Sequence, residues 1–141
     1  MPRIAIDTDV LVSGFVSPDG ASRQLLLGAL DGKFAMLVST PLLLEYEAVL
    51  LRPQHLARAR LSLAEAAEFL DGLATLAYPV ILDFNWRPTG ADEDDELVVQ
   101  TAINGYADFL ATFNLRHMRD VGTRFGFVAS RPGPLIARIA S

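Results

Sequence analysis

Apolar residues in this chain fall into two kinds of stretch that alternate along it. Short β-prone runs read as buried strands at 3–6, Phe34–Ser39, Val80–Leu82, Asp108–Thr112 and Phe127–Ala129, the last at a sheet edge. Between them apolar positions recur at helical spacing. Residues 7–16 predict a turn running through a short helix, and Ser17-Pro18-Asp19-Gly20 a turn. Leu25, Leu26 and Ala29 mark the buried side of a helix over 22–30 that Asp31-Gly32 stops. Thr40 is the expected N-cap of the next helix, with Pro41 at its first position and Pro53 beyond its end. His55–Arg60 predicts a short helix. Ser62 and Glu65 have capping-box spacing and open a helix to about Leu76, which Pro79 breaks. A helix from about Asp94 to Asn104 closes at Gly105, and a final one starts in Pro132-Gly133-Pro134 and reaches about Ala140. Residues 114–125 are expected to be irregular or a short helix.

Strands alternating with helices imply right-handed crossovers, hence an α/β fold with a mostly parallel sheet of about five strands covered by helices on both faces. The length of 141 residues suits one domain, residues 1–141, with a sizeable core. Apolar residues make up 51% of the chain, yet no run approaches the roughly 18 apolar residues of a membrane span. No basic stretch leads into an apolar one at the start, so a cytoplasmic protein without a secretion signal is expected. Cysteine is absent and there are two histidines, which excludes disulfides and argues against a zinc site of the usual kind.

Charge changes the picture through its distribution. The net charge of −5 by itself argues against non-specific nucleic-acid binding. From Phe109 onward, however, there are five arginines (Arg116, Arg119, Arg124, Arg131, Arg138), with His117 and a single acid, Asp120. An acidic site beside a basic tail suits a metal bound next to a polyanion; a solvated charged face is the plainer explanation.

The candidate chemistry lies at strand ends. Asp7 ends the first strand, Glu45 sits early in the helix after the second, Asp95 opens the helix before the fourth, and Asn114 follows the fourth. With the first strand central, all four meet at one rim. Carboxylates brought that close repel or take up a proton. A hard divalent cation, Mg²⁺ or Mn²⁺, resolves the conflict with oxygen ligands alone, and such sites activate water against a phosphodiester. Plainer roles compete: Asp92, Glu93, Asp94 and Glu96 suit a helix start electrostatically. Glu45 fits an ordinary helix surface, Asp108 a turn into its strand, and His117 an exposed or RNA-facing position.

Four stretches together resemble the motifs of PIN domains: Ile6-Asp7-Thr8-Asp9-Val10-Leu11-Val12-Ser13, Thr40 to Leu50 with Glu45 at the acid, Asp92 to Ala102 with Asp95 at the metal aspartate, and Ala107 to His117. Their order and spacing over residues 4–118 fit, and their flavour is that of VapC-like toxins of type II toxin–antitoxin systems. The resemblance implies a three-layer α/β/α sandwich and a Mg²⁺- or Mn²⁺-dependent endoribonuclease. It implies Asp7, Glu45 and Asp95 as metal ligands and catalytic acids, with Asn114 beside them. Thr8, Asp9, Asp92, Asp94, Asp108 and Thr112 become supporting residues, and Arg116, Arg119, His117 and Arg124 RNA contacts. An RNA substrate, a cognate antitoxin and a homodimer are the expected partners, and no membrane. Two departures stand out: Asp9 where asparagine is usual, and Asn114 where aspartate is frequent.

Two rivals remain at this point. A PIN fold weakened in catalysis could serve as an RNA- or protein-binding module, which Asn114 favours. A haloacid-dehalogenase-like phosphatase would use Asp7 and Asp9, but it needs a lysine between its hydroxyl motif, Val38-Ser39-Thr40, and its acidic end, and the sole lysine, Lys33, precedes both.

Overall fold

The computed structural model describes residues 1–83, 91 and 93–140. The expected loop over 84–90 with Trp86, and Asp92, lie outside the described residues. In chain order the elements are β1 (Arg3–Ile6), α1 (Thr8–Val16), α2 (Ala21–Leu30), β2 (Ala35–Ser39), α3 (Thr40–Leu50), α4 (Pro53–Ala59) and α5 (Leu63–Leu76). Then follow β3 (Tyr78–Val80), a 3₁₀ turn (Glu93–Asp95), α6 (Glu96–Asn104), β4 (Phe109–Ala111), α7 (Leu115–Phe125), β5 (Val128–Ser130) and α8 (Pro132–Ala140).

Among the described residues the five strands form one all-parallel sheet in the order β3-β2-β1-β4-β5. The architecture is the three-layer α/β/α sandwich that the sequence implied. β1 is central, and Ile4, Ala5 and Ile6 are fully buried, as a strand covered on both faces must be. α6 packs on β1, β2 and β4; α1, α2 and α8 pack in series, α1 on α2 and α2 on α8.

Three local expectations shift. The N-cap of α3 is Ser39, not Thr40: its Oγ accepts from Leu42 N at 3.3 Å, and helical geometry begins one residue earlier. β3 lies two residues earlier than expected and contains Pro79, paired across from Val38. Proline is tolerated there because β3 is an edge strand and needs ladder bonds on one side alone. Residues 115–125 form a full helix. Met118, Val121 and Gly122 make its buried stripe, and Gly126, at φ +89°, ends it in the left-handed region that glycine adopts without strain. The capping box of α5 is present in both directions, Glu65 N to Ser62 Oγ and Ser62 N to Glu65 Oε1, each at 3.1 Å.

Candidate active site

All five strands end on one rim. From the central pair, β1 leads outward to β2 and β3 while β4 leads to β5, so a crevice opens between the ends of β1 and β4. Asp7 sits in it. Its backbone N–H donates to Ala111 O at 2.9 Å, continuing the β1–β4 ladder by one rung. The residue is 5% exposed, and its carboxylate accepts from Thr8 N at 2.8 Å on Oδ1 and from Thr112 Oγ1 at 2.8 Å on Oδ2. The first of these bonds also makes Asp7 the N-cap of α1.

Glu45 reaches the same place from α3. Thr8 Oγ1 donates to its Oε2 at 2.6 Å. The adjacent Tyr46 is buried and its hydroxyl donates to Ile6 O, which pins α3 to the end of β1 one residue before Asp7. Ser39 and Thr101 share a buried hydroxyl–hydroxyl bond of 2.7 Å that ties the start of α3 to α6, the helix that Asp95 caps. The two acid-bearing helices are thereby set relative to each other.

On the other side, Asn114 bridges. Its backbone N–H donates to Thr112 Oγ1 at 3.0 Å and its side-chain amide to Asp95 Oδ2 at 3.1 Å. Asp9, more exposed, accepts from Phe113 N at 3.1 Å on Oδ2. An unbroken series of bonded groups therefore runs Glu45–Thr8–Asp7–Thr112–Asn114–Asp95.

The electrostatics follow from crowding. Burial pushes the Asp7 carboxyl up to about 7, with Asp9 and Asp95 adding repulsion and the Thr112 and Thr8 hydrogen bonds opposing it. Asp9 is raised as well, by partial loss of water and by Asp95, against the hydrogen bonds from Phe113 and Val10. The Tyr46 hydroxyl is raised well above its usual range by burial, then by Asp7 and Glu45. Among the described residues no cation acts on Asp7.

Among the described residues no three His, Cys, Asp or Glu side chains stand close enough together to hold a metal ion by themselves. The donors are oxygens on a rim, with mutually repelling carboxylates at Asp7, Asp9 and Asp95. Such a set fits Mg²⁺ or Mn²⁺, because a Mg²⁺-type ion keeps several waters and takes one or two carboxylates rather than an all-protein cage.

A family profile described as PIN domain matches residues 3–116, most of the chain. The chain belongs to the PIN domain family. No curated protein matches it. The PIN domain is a nuclease-type fold whose members typically use divalent metals. Membership also removes the phosphatase alternative. No helix among the described residues is long and apolar enough to cross a membrane.

Within this PIN domain the other candidate residues divide by position. Thr8, Asp9 and Thr112 lie in the crevice. Asp94 is exposed in the 3₁₀ turn before α6. Asp108 is at the opposite rim, where its carboxylate accepts from Arg3 N at 2.8 Å at the start of β1. It precedes β4, and in a parallel sheet the residue before a strand and the residue after it face opposite ends. Arg116, His117 and Arg119 are exposed on the first turns of α7, beside Asn114. Arg124 is in the last turn of α7, over the ring of Phe125, roughly 15 Å along the helix from Asn114.

Three residues of this PIN domain went unassigned in the sequence reading: Tyr46, Ser39 and Arg131. Arg131 directly follows β5 and so stands at the same rim as Asn114. That signal was present in the sequence, since every residue that follows a parallel strand shares one rim. The Tyr46 and Ser39 contacts join residues far apart in the chain and had no local signature.

Proposed function

We propose that the protein is a Mg²⁺- or Mn²⁺-dependent endoribonuclease that hydrolyses phosphodiester bonds in RNA, with Asp7, Glu45 and Asp95 as its acidic core. The observation that carries this reading is the bonded series from Glu45 to Asp95 at the β1–β4 switch point, in a chain of a nuclease-type family. The metal, when bound, would lower the pKa of a bound water and stabilise charge on the leaving oxygen.

The chain's own groups do the rest. Thr8 and Thr112 hold both oxygens of Asp7, so that its lone pairs are oriented rather than free to rotate. Thr8 simultaneously fixes Glu45. Asn114 holds one oxygen of Asp95. Arg116, Arg119 and His117 stand where a substrate backbone would pass, and guanidinium groups there position phosphates without reading bases.

The biological role we assign is that of the toxin of a toxin–antitoxin pair acting in the cytoplasm, on the strength of the VapC-like motif flavour. A homodimer is the assembly we expect, since C₂ pairing is the commonest one and Leu44, Ile81 and Tyr106 are large apolar residues left exposed.

Cleavage of a mixed RNA pool with Mg²⁺ or Mn²⁺, against the same reaction with chelator and against Asp7→Asn, tests the reaction. Metal-dependent cleavage lost in Asp7→Asn supports it. The second reading, a catalytically weakened binding module, is favoured by Asn114, an amide rather than a fourth carboxylate beside Asp95. RNA retention by wild type without metal-dependent cleavage would decide for that module.

A further inference from the structure

A second charged feature lies next to the carboxylates. α7 starts at Leu115 after β4, and α8 starts at Pro132 after β5. The two strands are parallel neighbours, and Thr112 N donates to Ser130 O at 2.9 Å, so both helices begin side by side. Between these starts is a cavity of about 680 Å³. Arg116 and Arg119 line it from α7, Arg131 from the end of β5, and Leu115, Ala129 and Pro134 give it an apolar floor. Among the described residues no acid lines it, in a chain with a net charge of −5.

We propose that Arg116, Arg119 and Arg131 form a phosphate subsite that holds the RNA backbone away from the bond being cut, with the apolar floor beneath the ribose. This rests on the reading of the protein as an RNA nuclease and adds to it a third arginine, a second binding point and a direction for the strand.

Charge accounts for the need. A carboxylate crevice repels a polyanion, and one divalent cation neutralises it locally at best. Three guanidinium groups beside it restore attraction for the next phosphates along the strand. The positive ends of α7 and α8 point to the same rim and add to the potential. Pro132 and Pro134 remove two N–H groups from the first turn of α8, so the donors here must be mainly side chains, and the planar fork of arginine matches phosphate oxygens.

The cavity is also coupled to the crevice. Leu115 in its wall follows Asn114, whose backbone N–H bonds Thr112, which in turn bonds Asp7. The strand would therefore run from the β1–β4 crevice across the end of β4 toward the end of β5.

The test measures anisotropy of a fluorescent single-stranded oligoribonucleotide as a salt titration, with Ca²⁺ in place of Mg²⁺ to suppress cleavage. The proteins compared are wild type, Arg116→Ala/Arg119→Ala, Arg131→Ala, Arg131→Lys and Arg124→Ala. Melting curves confirm that each variant is folded. Arg131→Ala should weaken binding about tenfold at low salt and make the logarithmic salt slope shallower by about 0.7. Arg131→Lys should keep the slope, and Arg124→Ala should match wild type. In parallel, inorganic phosphate is titrated into labelled protein, where amide shifts confined to 129–131 and 115–119 are expected and should vanish in Arg131→Ala. RNA binding by Arg131→Ala that equals wild type in affinity and slope overturns the subsite and leaves the nuclease reading standing. Phosphate shifts at the cavity in a wild type that binds no RNA overturn the nuclease reading and keep the anion site. The absence of both phosphate shifts and any effect of Arg131→Ala overturns the proposal outright.

Discussion

The side-chain amide of Asn114 donates to the Asp95 carboxylate at 3.1 Å, so the residue after β4 restrains an acid instead of adding one. The missing negative charge stands across the crevice at Asp9, whose carboxylate is bonded to Phe113, the neighbour of Asn114. Asn114→Asp would place a fourth acid against Asp95 and remove a donor. The metal-free melting temperature should fall, by the equivalent of about 1–2 kcal/mol, while the gain on adding Mn²⁺ should exceed that of wild type. Thermal melts of the two proteins with and without Mn²⁺ check this. An unchanged Mn²⁺ gain would show that Asn114 does not face the metal position.

The protonation of Asp7 predicts a pH signature. Its carboxyl rises on folding from 3.8 to about 7, through burial first and then Asp9 and Asp95. A raised carboxyl binds its proton more tightly in the folded state, so metal-free stability falls as pH climbs between those two values and stays low above them. The full decrement is at most about 4 kcal/mol. A divalent cation competes with that proton, so its stabilising effect should be larger near pH 8 than near pH 5, values chosen to lie roughly either side of the raised pKa. Equal Mn²⁺-induced shifts in melting temperature at the two pH values would remove Asp7 from the metal site.

Thr112 is the donor that most opposes this rise, through its 2.8 Å bond to Asp7 Oδ2. Thr112→Val keeps the branched shape and deletes the hydroxyl. The Asp7 carboxyl should then move higher, and the rising limb of the pH profile of Mn²⁺-dependent RNA cleavage should move with it toward alkaline pH. Stability should drop by about 1–3 kcal/mol, because the half-buried backbone N–H of Asn114 also loses its acceptor. A profile displaced toward acid would contradict the assignment.

Tyr46 offers a test of how α3 is held. Tyr46→Phe removes the hydroxyl bond to Ile6 O with little change in packing. Unfolding in urea should show a loss of about 1 kcal/mol. Cleavage should fall by more than the folded fraction does, because Glu45 is its neighbour in the chain and loses its anchor on β1. Activity that follows the folded fraction alone would confine Tyr46 to the core.

The sequence by itself determined the alternation of strands and helices, since buried strands and amphipathic helices have different apolar periods and need no distant partner to be recognised. It also marked Asp7 and Asp95 as carboxylates at element boundaries, while Glu45, inside its helix, and the amide Asn114 were singled out by their places in the motifs. α7 was harder to read: its buried stripe of Met118, Val121 and Gly122 is thin, and arginines surround it. Tertiary structure alone decided the strand order, which sets β4 beside β1 on the side away from β2 and makes Thr112 the partner of Asp7. It also decided which end of the sheet each charge occupies. Asp108 fell on the far rim because the three-residue strand β4 separates it from Thr112, and Arg124 fell toward that rim because the length of α7 separates it from Asn114; the rim of Arg131 was legible, but its place in one cavity with Arg116 and Arg119 was not. The raised carboxyl of Asp7 belongs to the same class of facts: burial and the fields of Asp9 and Asp95 act through space, and no local pattern of residues encodes them.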